Sequence, residues 1–181
     1  MSSVDLKAPS STAAVRTDRF SYVFFCRGDN RLGYLQGDLL SKARTSKQDP
    51  FQYYAKSIIT EDSVTVENHR ESTQITALSY KDGGGNTQVR VYFVDSNGKL
   101  AEICTQETAK GLPPWSWGSL SEGGGKAVTP KSMVSSTVST GTNGRLSVFY
   151  QLEEGGRLRV AQVTTGTTAW NDYDVNNIWD A

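Results

Sequence analysis

Apolar and polar residues alternate with a period of two in short runs throughout this 181-residue chain, and the runs are broken by Gly, Asn and Asp. The clearest stretch is "QVRVYFVDSNGKLAEICTQ", residues 88–106, in which two alternating segments flank an Asn-Gly turn. Alternation predicts half-buried strands, and Asn-Gly between two such runs predicts a hairpin. Apolar residues at i, i+3, i+4 and i+7 are scarce. The best helical stretch, "GDLLSKARTSKQDP" at 37–50, reads equally well as a loop with one helical turn, because it is short and flanked by Gly and Pro. The expected class is therefore all-β.

Three segments share the order strand, polar turn, strand, short turn, strand, turn, aromatic strand. They span about 11–62, 73–120 and 135–175 of a single domain covering 1–181. The pairs Phe24-Phe25, Tyr92-Phe93 and Phe149-Tyr150 align, as do Leu32, Leu100 and Leu158 after each hairpin turn. Repeated four-stranded antiparallel units are the signature of β-propeller blades. Propellers close with roughly four to eight blades of about 40 to 50 residues each. Three blades leave two faces uncovered, so the expectation is that two chains form a homodimer completing a six-bladed ring, the competing account being a piece of a longer protein. "KDGGGNTQ" and "SEGGGKA" read as loops, since neither has the strand-loop-helix setting of a phosphate-binding glycine loop.

Charge and composition narrow the function. Nineteen basic residues balance nineteen acidic ones, which gives no reason to expect nucleic acid or a membrane surface as partner. Cys26 and Cys104 lie far apart beside apolar strands and suit small buried hydrophobes better than a disulfide framework. No signal-peptide core stands at the N-terminus, so a soluble cytoplasmic protein is expected, with unconventional export left open. His69 is the only histidine, so no two-histidine metal site can form, and neither cysteine has a local activating partner. No metal or cofactor is expected.

"VRVYFVDSNGKLAEI" followed by "PPWSWGSL" resembles the blade signature of the fungal fucose-specific lectins, six-bladed propellers with sugar sites between adjacent blades. The resemblance implies that an Arg and a Glu bond the sugar hydroxyls while an aromatic ring covers the sugar's apolar side. The matching residues are Arg90, Glu102 and either Trp115 or Trp117, with Tyr92 counted among them. A guanidinium fork and a carboxylate suit neighbouring hydroxyls. Taken alone, opposite charges across a hairpin are an ordinary cross-strand pair, and single tryptophans, Trp179 near the end included, most often serve packing. The other copies depart from the pattern. Tyr22 and Tyr34 stand at the Arg and Glu positions of the first unit, Ser147 and Val160 at those of the last, where Trp170 and Tyr173 keep the aromatic strand. A second resemblance is to lectin-like propellers of fungal secondary-metabolite biosynthesis that catalyse hetero-Diels–Alder reactions. It implies a cofactor-free cyclase acting on a polyketide or terpenoid in an aromatic cleft, with Tyr22, Tyr34, Trp170 and Tyr173 as the alternative lining. A third possibility is a module that only presents a protein-binding surface.

Overall fold

The computed structural model describes residues 11–38, 53–60, 65–67, 74–129, 132–139, 141, 144–152 and 157–175. His69, Trp179 and nearly all of the 37–50 segment lie outside them. The alternating runs form strands β1 (Thr12–Arg16), β2 (Phe20–Cys26), β3 (Leu32–Asp38), β4 (Tyr53–Ser57), β5 (Ile75–Lys81), β6 (Thr87–Val94), β7 (Lys99–Gln106) and β8 (Ser116–Trp117). A single helical turn, α1 (Ser119–Glu122), and a short strand, β9 (Lys126–Ala127), follow. The last unit contains β10 (Ser135–Val138), β11 (Arg145–Gln151), β12 (Leu158–Thr164) and β13 (Asn171–Asp174).

These strands make three antiparallel meanders, ordered β1-β2-β3-β4, β5-β6-β7-β8 and β10-β11-β12-β13. The three expected units thus correspond to three sheets. The middle sheet gains a fifth member, β9, which pairs with β7. Gly124 and Gly125, both at positive φ, turn the chain back for that pairing. In the two central hairpins an aspartate fixes the turn: Asp82 Oδ1 accepts from the Gly84 and Asn86 amides, and Asp95 Oδ1 from the Asn97 and Lys99 amides.

Register repeats from sheet to sheet. Phe24 pairs with Tyr34, Tyr92 with Glu102, and Phe149 with Val160, so residues aligned in sequence occupy equivalent places. The sheets are packed face to face. Between the first and middle sheets lie Tyr22, Phe24 and Tyr34 against Val89, Val91, Phe93, Ile103 and Trp115. Between the middle and last sheets lie Leu78, Tyr80, Tyr92, Val94 and Leu100 against Leu146, Val148, Tyr150, Ala161 and Val163. Successive residues of β6 therefore serve different cores, and the middle sheet has no solvent-facing side. Each fully buried large apolar side chain in these layers stabilises the fold by about 1.5–3 kcal/mol.

The first strands of the three sheets are neighbours. Ser79 Oγ of β5 donates to the Arg16 carbonyl of β1 at 3.3 Å, and the Thr76 and Ser136 hydroxyls of β5 and β10 bond at 2.9 Å. Thr17 and the Tyr22 hydroxyl both donate to Glu107 Oε1, tying the first sheet to the loop after β7. Among the described residues the three sheets do not close into a ring. Cys26 and Cys104 are not joined by a disulfide; the first is buried and the second half-buried.

Candidate functional site

The second gap, between the middle and last sheets, contains a charge cluster. Arg90 of β6 and Glu102 of β7 both project into it, on the same face as Tyr92. Arg90 Nη1 donates to Glu102 Oε1 at 2.5 Å, and the Tyr92 hydroxyl donates to the same oxygen at 3.2 Å. Glu102 Oε2 accepts from the Leu120 amide at 3.2 Å, so the short helix α1 supplies a backbone donor to the carboxylate. The Glu102 side chain has no exposed surface, whereas 18% of the Arg90 side chain is exposed.

Tyr80 of β5 holds the other side of the guanidinium. Arg90 Nε donates to its hydroxyl at 3.0 Å, and the guanidinium carbon lies 5.8 Å from the ring centroid. Burial is the largest single influence on Arg90 and works against its charge, but the Glu102 carboxylate together with Tyr80 and Tyr92 outweighs it, and the pKa is raised. Tyr92 is likewise raised well above the ordinary phenol value, first by burial and then by Glu102, so it stays protonated and donates. After these contacts Arg90 Nη2 carries no hydrogen bond among the described residues. The cluster is thus an internally neutralised pair in which the partly exposed guanidinium keeps unused donors.

The aromatic ring at this cluster comes from the next sheet. Trp170, immediately before β13, lies edge-on to Tyr92 with centroids 6.2 Å apart at 79°. Its Nε1–H donates to Ser119 Oγ of α1 at 3.0 Å, beside the residue that caps Glu102. Trp115 and Trp117, expected beside Arg90, lie on the opposite face of the middle sheet. Trp117 pairs with Ile103, and directly paired residues share a face, so it stands over Phe93 instead, 36% exposed. Trp115 is buried against Phe24 and Tyr34 in the first gap.

On the face that Glu102 occupies, the corresponding position of the aromatic strand is Gly118, pressed so closely that a Cβ there would overlap the Glu102 carboxyl group. Tyr22, Tyr34, Trp170 and Tyr173 do not line one cleft. Tyr22 and Tyr34 are packed in the first gap, Trp170 is in the second, and Tyr173 is half exposed on the outer face of the last sheet, opposite Val160. Sequence reasoning missed Tyr80 and α1. Trp170 was assigned to the other set, although its position one unit downstream was the available signal for a site between neighbouring units.

Among the described residues, no group of three or more His, Cys, Asp or Glu side chains is placed to hold a metal ion. No helix of the described residues is long and apolar enough to cross a membrane.

Three consecutive antiparallel sheets of four to five strands, stacked face to face with ion pairs in the second gap, define an all-β protein. The same fold occurs in AofleA from Arthrobotrys oligospora, with a TM-score of 0.65 and 19% identity. That match covers 94% of this chain and 42% of that one, so the chain spans about two-fifths of its length. A variant of AofleA with three arginines replaced by alanine gives a TM-score of 0.66 at 18% identity, with the same coverage. A fucose lectin from Kordia zhangzhouensis, solved in complex with methyl-fucoside, gives 0.59 at 14% identity, covering 91% of this chain and 99% of that one. No family model and no curated relative matches the chain.

Proposed function

We propose that the chain is a lectin-like carbohydrate-binding protein that takes fucose or a closely related sugar at the second gap, on Arg90 and Trp170. The observation that carries this reading is the paired but incompletely used Arg90 guanidinium, held by Glu102 and Tyr80 beside an aromatic ring from the next sheet. The fold it shares with the Kordia fucose lectin supports the reading. Arg90 supplies hydrogen bonds to sugar hydroxyls, and Trp170 supplies an apolar surface for the sugar's less polar side. Glu102, wholly buried, is a positioning residue that fixes the guanidinium and cancels its charge, so a neutral ligand is favoured there.

The same reading includes a ring completed by a second copy of the chain. The first and last sheets have outer faces not covered by another described sheet, and Tyr53 and Tyr173 on those faces are 39% and 51% exposed. Light scattering is expected to show an oligomer, and a stable monomer would contradict this part of the proposal.

Calorimetric titration with methyl-fucoside tests the site. Binding is expected in the wild-type chain, weakened at least about tenfold by Trp170→Ala, the order expected for losing one aromatic packing surface. Arg90→Lys is expected to weaken it similarly, since lysine lacks the fork that engages Glu102, Tyr80 and a ligand together. No binding by the folded oligomer, or binding indifferent to both substitutions, removes the reading.

A further inference from the structure

The first gap opens into a separate cleft of about 330 Å³, with Tyr34 and Lys56 on one side and Leu112, Pro113, Pro114 and Trp115 on the other. Its volume falls within the range of small-molecule sites, roughly 300–1,000 Å³. Trp115 is 1% exposed, and its Nε1–H has no acceptor among the described residues. A buried donor without a partner is rare in a folded protein, and a ligand acceptor is one way to satisfy it. The Tyr34 hydroxyl also makes no hydrogen bond to a described residue. Burial pushes its pKa up to about 12, so it keeps its proton and is available as a donor.

The charge of this cleft differs from that of the second gap. Lys56 Nζ donates to Gln36 Oε1 at 3.0 Å, and no carboxylate of the described residues pairs with it. Gln36 is itself fixed: Gly111, at φ +107, packs so closely that a Cβ there would overlap its amide. A neutral acceptor thus anchors Lys56 beside the cleft while leaving its charge uncompensated. In the second gap the equivalent of Tyr34 is Glu102, which neutralises Arg90 internally.

We propose that this cleft binds a small ring-bearing carboxylate. The acid lies against the Lys56 ammonium and the Tyr34 and Trp115 donors, and the ring lies on the Leu112-Pro113-Pro114 wall. The inference rests on the unpaired donors and the net positive charge of the cleft, and it stands whether or not the second gap takes fucose.

The test is a titration of the 15N-labelled full chain, following the tryptophan indole N–H resonances. Glucuronate and benzoate are the probes, with neutral glucose as the control. Trp115 is assigned by Trp115→Phe or, should that buried change prevent folding, by elimination with Trp117→Phe, Trp170→Phe and Trp179→Phe, the other three tryptophans of the chain. The Trp115 resonance is expected to shift saturably with at least one of the two acids. Response to glucuronate alone identifies a sugar acid, to benzoate alone an aromatic acid, and to both a carboxylate on either ring. The exposed Lys56→Met is expected to weaken that binding about tenfold while leaving the other resonances in place. An immobile Trp115 signal, an equal response to glucose, or an affinity unchanged in Lys56→Met overturns the proposal. Arg90→Lys is expected to leave this titration unchanged, which separates its outcome from that of the methyl-fucoside experiment.

Discussion

Gly118→Ala tests the architecture of the ion pair with the smallest possible perturbation. Gly118 has φ −85° and ψ 163°, an extended conformation open to any residue, so alanine brings no backbone strain. Its Cβ would overlap Oε2, Cδ and Cγ of Glu102. Glu102 cannot step aside cheaply. Its carboxylate is tied to Arg90, Tyr92 and the Leu120 amide, and its backbone is bonded to Gly118 N at 2.8 Å and Ser121 Oγ at 2.7 Å. Admitting the methyl group therefore means expelling the carboxylate from its three donors. Breaking a buried pair costs about 3–5 kcal/mol, and the lower end applies because Arg90 can turn toward solvent. With a urea slope of about 1–3 kcal/mol/M, a loss of ~3 kcal/mol lowers the unfolding midpoint by at least about 1 M. The assay is urea unfolding followed by tryptophan fluorescence for wild type, Gly118→Ala, Glu102→Ala and the double variant. If the methyl group acts only through Glu102, Gly118→Ala costs less than ~0.5 kcal/mol once Glu102 has been truncated, leaving a coupling of about 2–3 kcal/mol. Additive effects of the two substitutions, or an unchanged midpoint in Gly118→Ala, would refute the reasoning.

Alkaline pH is expected to unfold the protein through its tyrosines. Tyr22, Tyr34, Tyr92 and Tyr150 all have raised pKa values, burial being the largest cause in each, with Glu107, Glu102 and Asp172 adding to it at Tyr22, Tyr92 and Tyr150. The unfolded chain loses these protons near pH 10, before the native state does, so stability is intact below about pH 10 and falls above it. For Tyr34 the loss runs from there to about pH 12, and each raised tyrosine contributes up to about 1.4 kcal/mol per pH unit within its own window. Absorbance at 295 nm should show these four titrating together with the loss of near-ultraviolet circular dichroism; reversible titration of every tyrosine near pH 10 in a folded chain contradicts the burial argument. Phe93→Ala, which empties a fully buried position between the first and middle sheets, should cost about 3–5 kcal/mol in urea unfolding, whereas Met133→Ala, at a side chain 72% exposed, should stay within about 0.5 kcal/mol.

The three-sheet order and its register were legible in the sequence because both depend on local signals. In a hairpin the turn length sets which residues face each other, and alternation sets which share a side. Asp95, Asn97 and Gly98 mark the turn that sets Arg90 and Glu102 on facing strands, although the register puts Tyr92 opposite Glu102 and Arg90 opposite Cys104, so the two charges meet diagonally. The aromatic strand offered no such constraint. β8 has two residues and follows Pro113-Pro114, so its parity against β7 could not be read from a pattern, and Trp115 and Trp117 were placed on the wrong side of the sheet. Helix α1, one turn long, shows no periodicity to detect, yet it supplies a donor to Glu102 and the hydroxyl that holds Trp170.

Alternation marks Arg90 and Glu102 as belonging to the side opposite Val89, Val91 and Ile103, which in an isolated hairpin is the wet side. In this chain that side meets the last sheet, and the middle sheet is covered on both faces. A charge placed there loses its hydration and must find an internal counter-charge and hydrogen bonds, or it destabilises the fold. Arg90 and Glu102 satisfy each other, with Tyr80, Tyr92 and the Leu120 amide completing the set. The first gap meets the same requirement differently: Tyr22 and Tyr34 occupy the two positions, neutral groups that tolerate burial, and the charge at its cleft is carried by exposed Lys56 at the rim. The difference between the two gaps therefore follows from what stacking imposes on each. One conceals a neutralised pair that leaves guanidinium donors at its edge, and the other packs apolar rings and keeps an uncompensated cation outside them. That contrast predicts neutral, hydroxyl-bearing ligands for the second gap and acidic ones for the first.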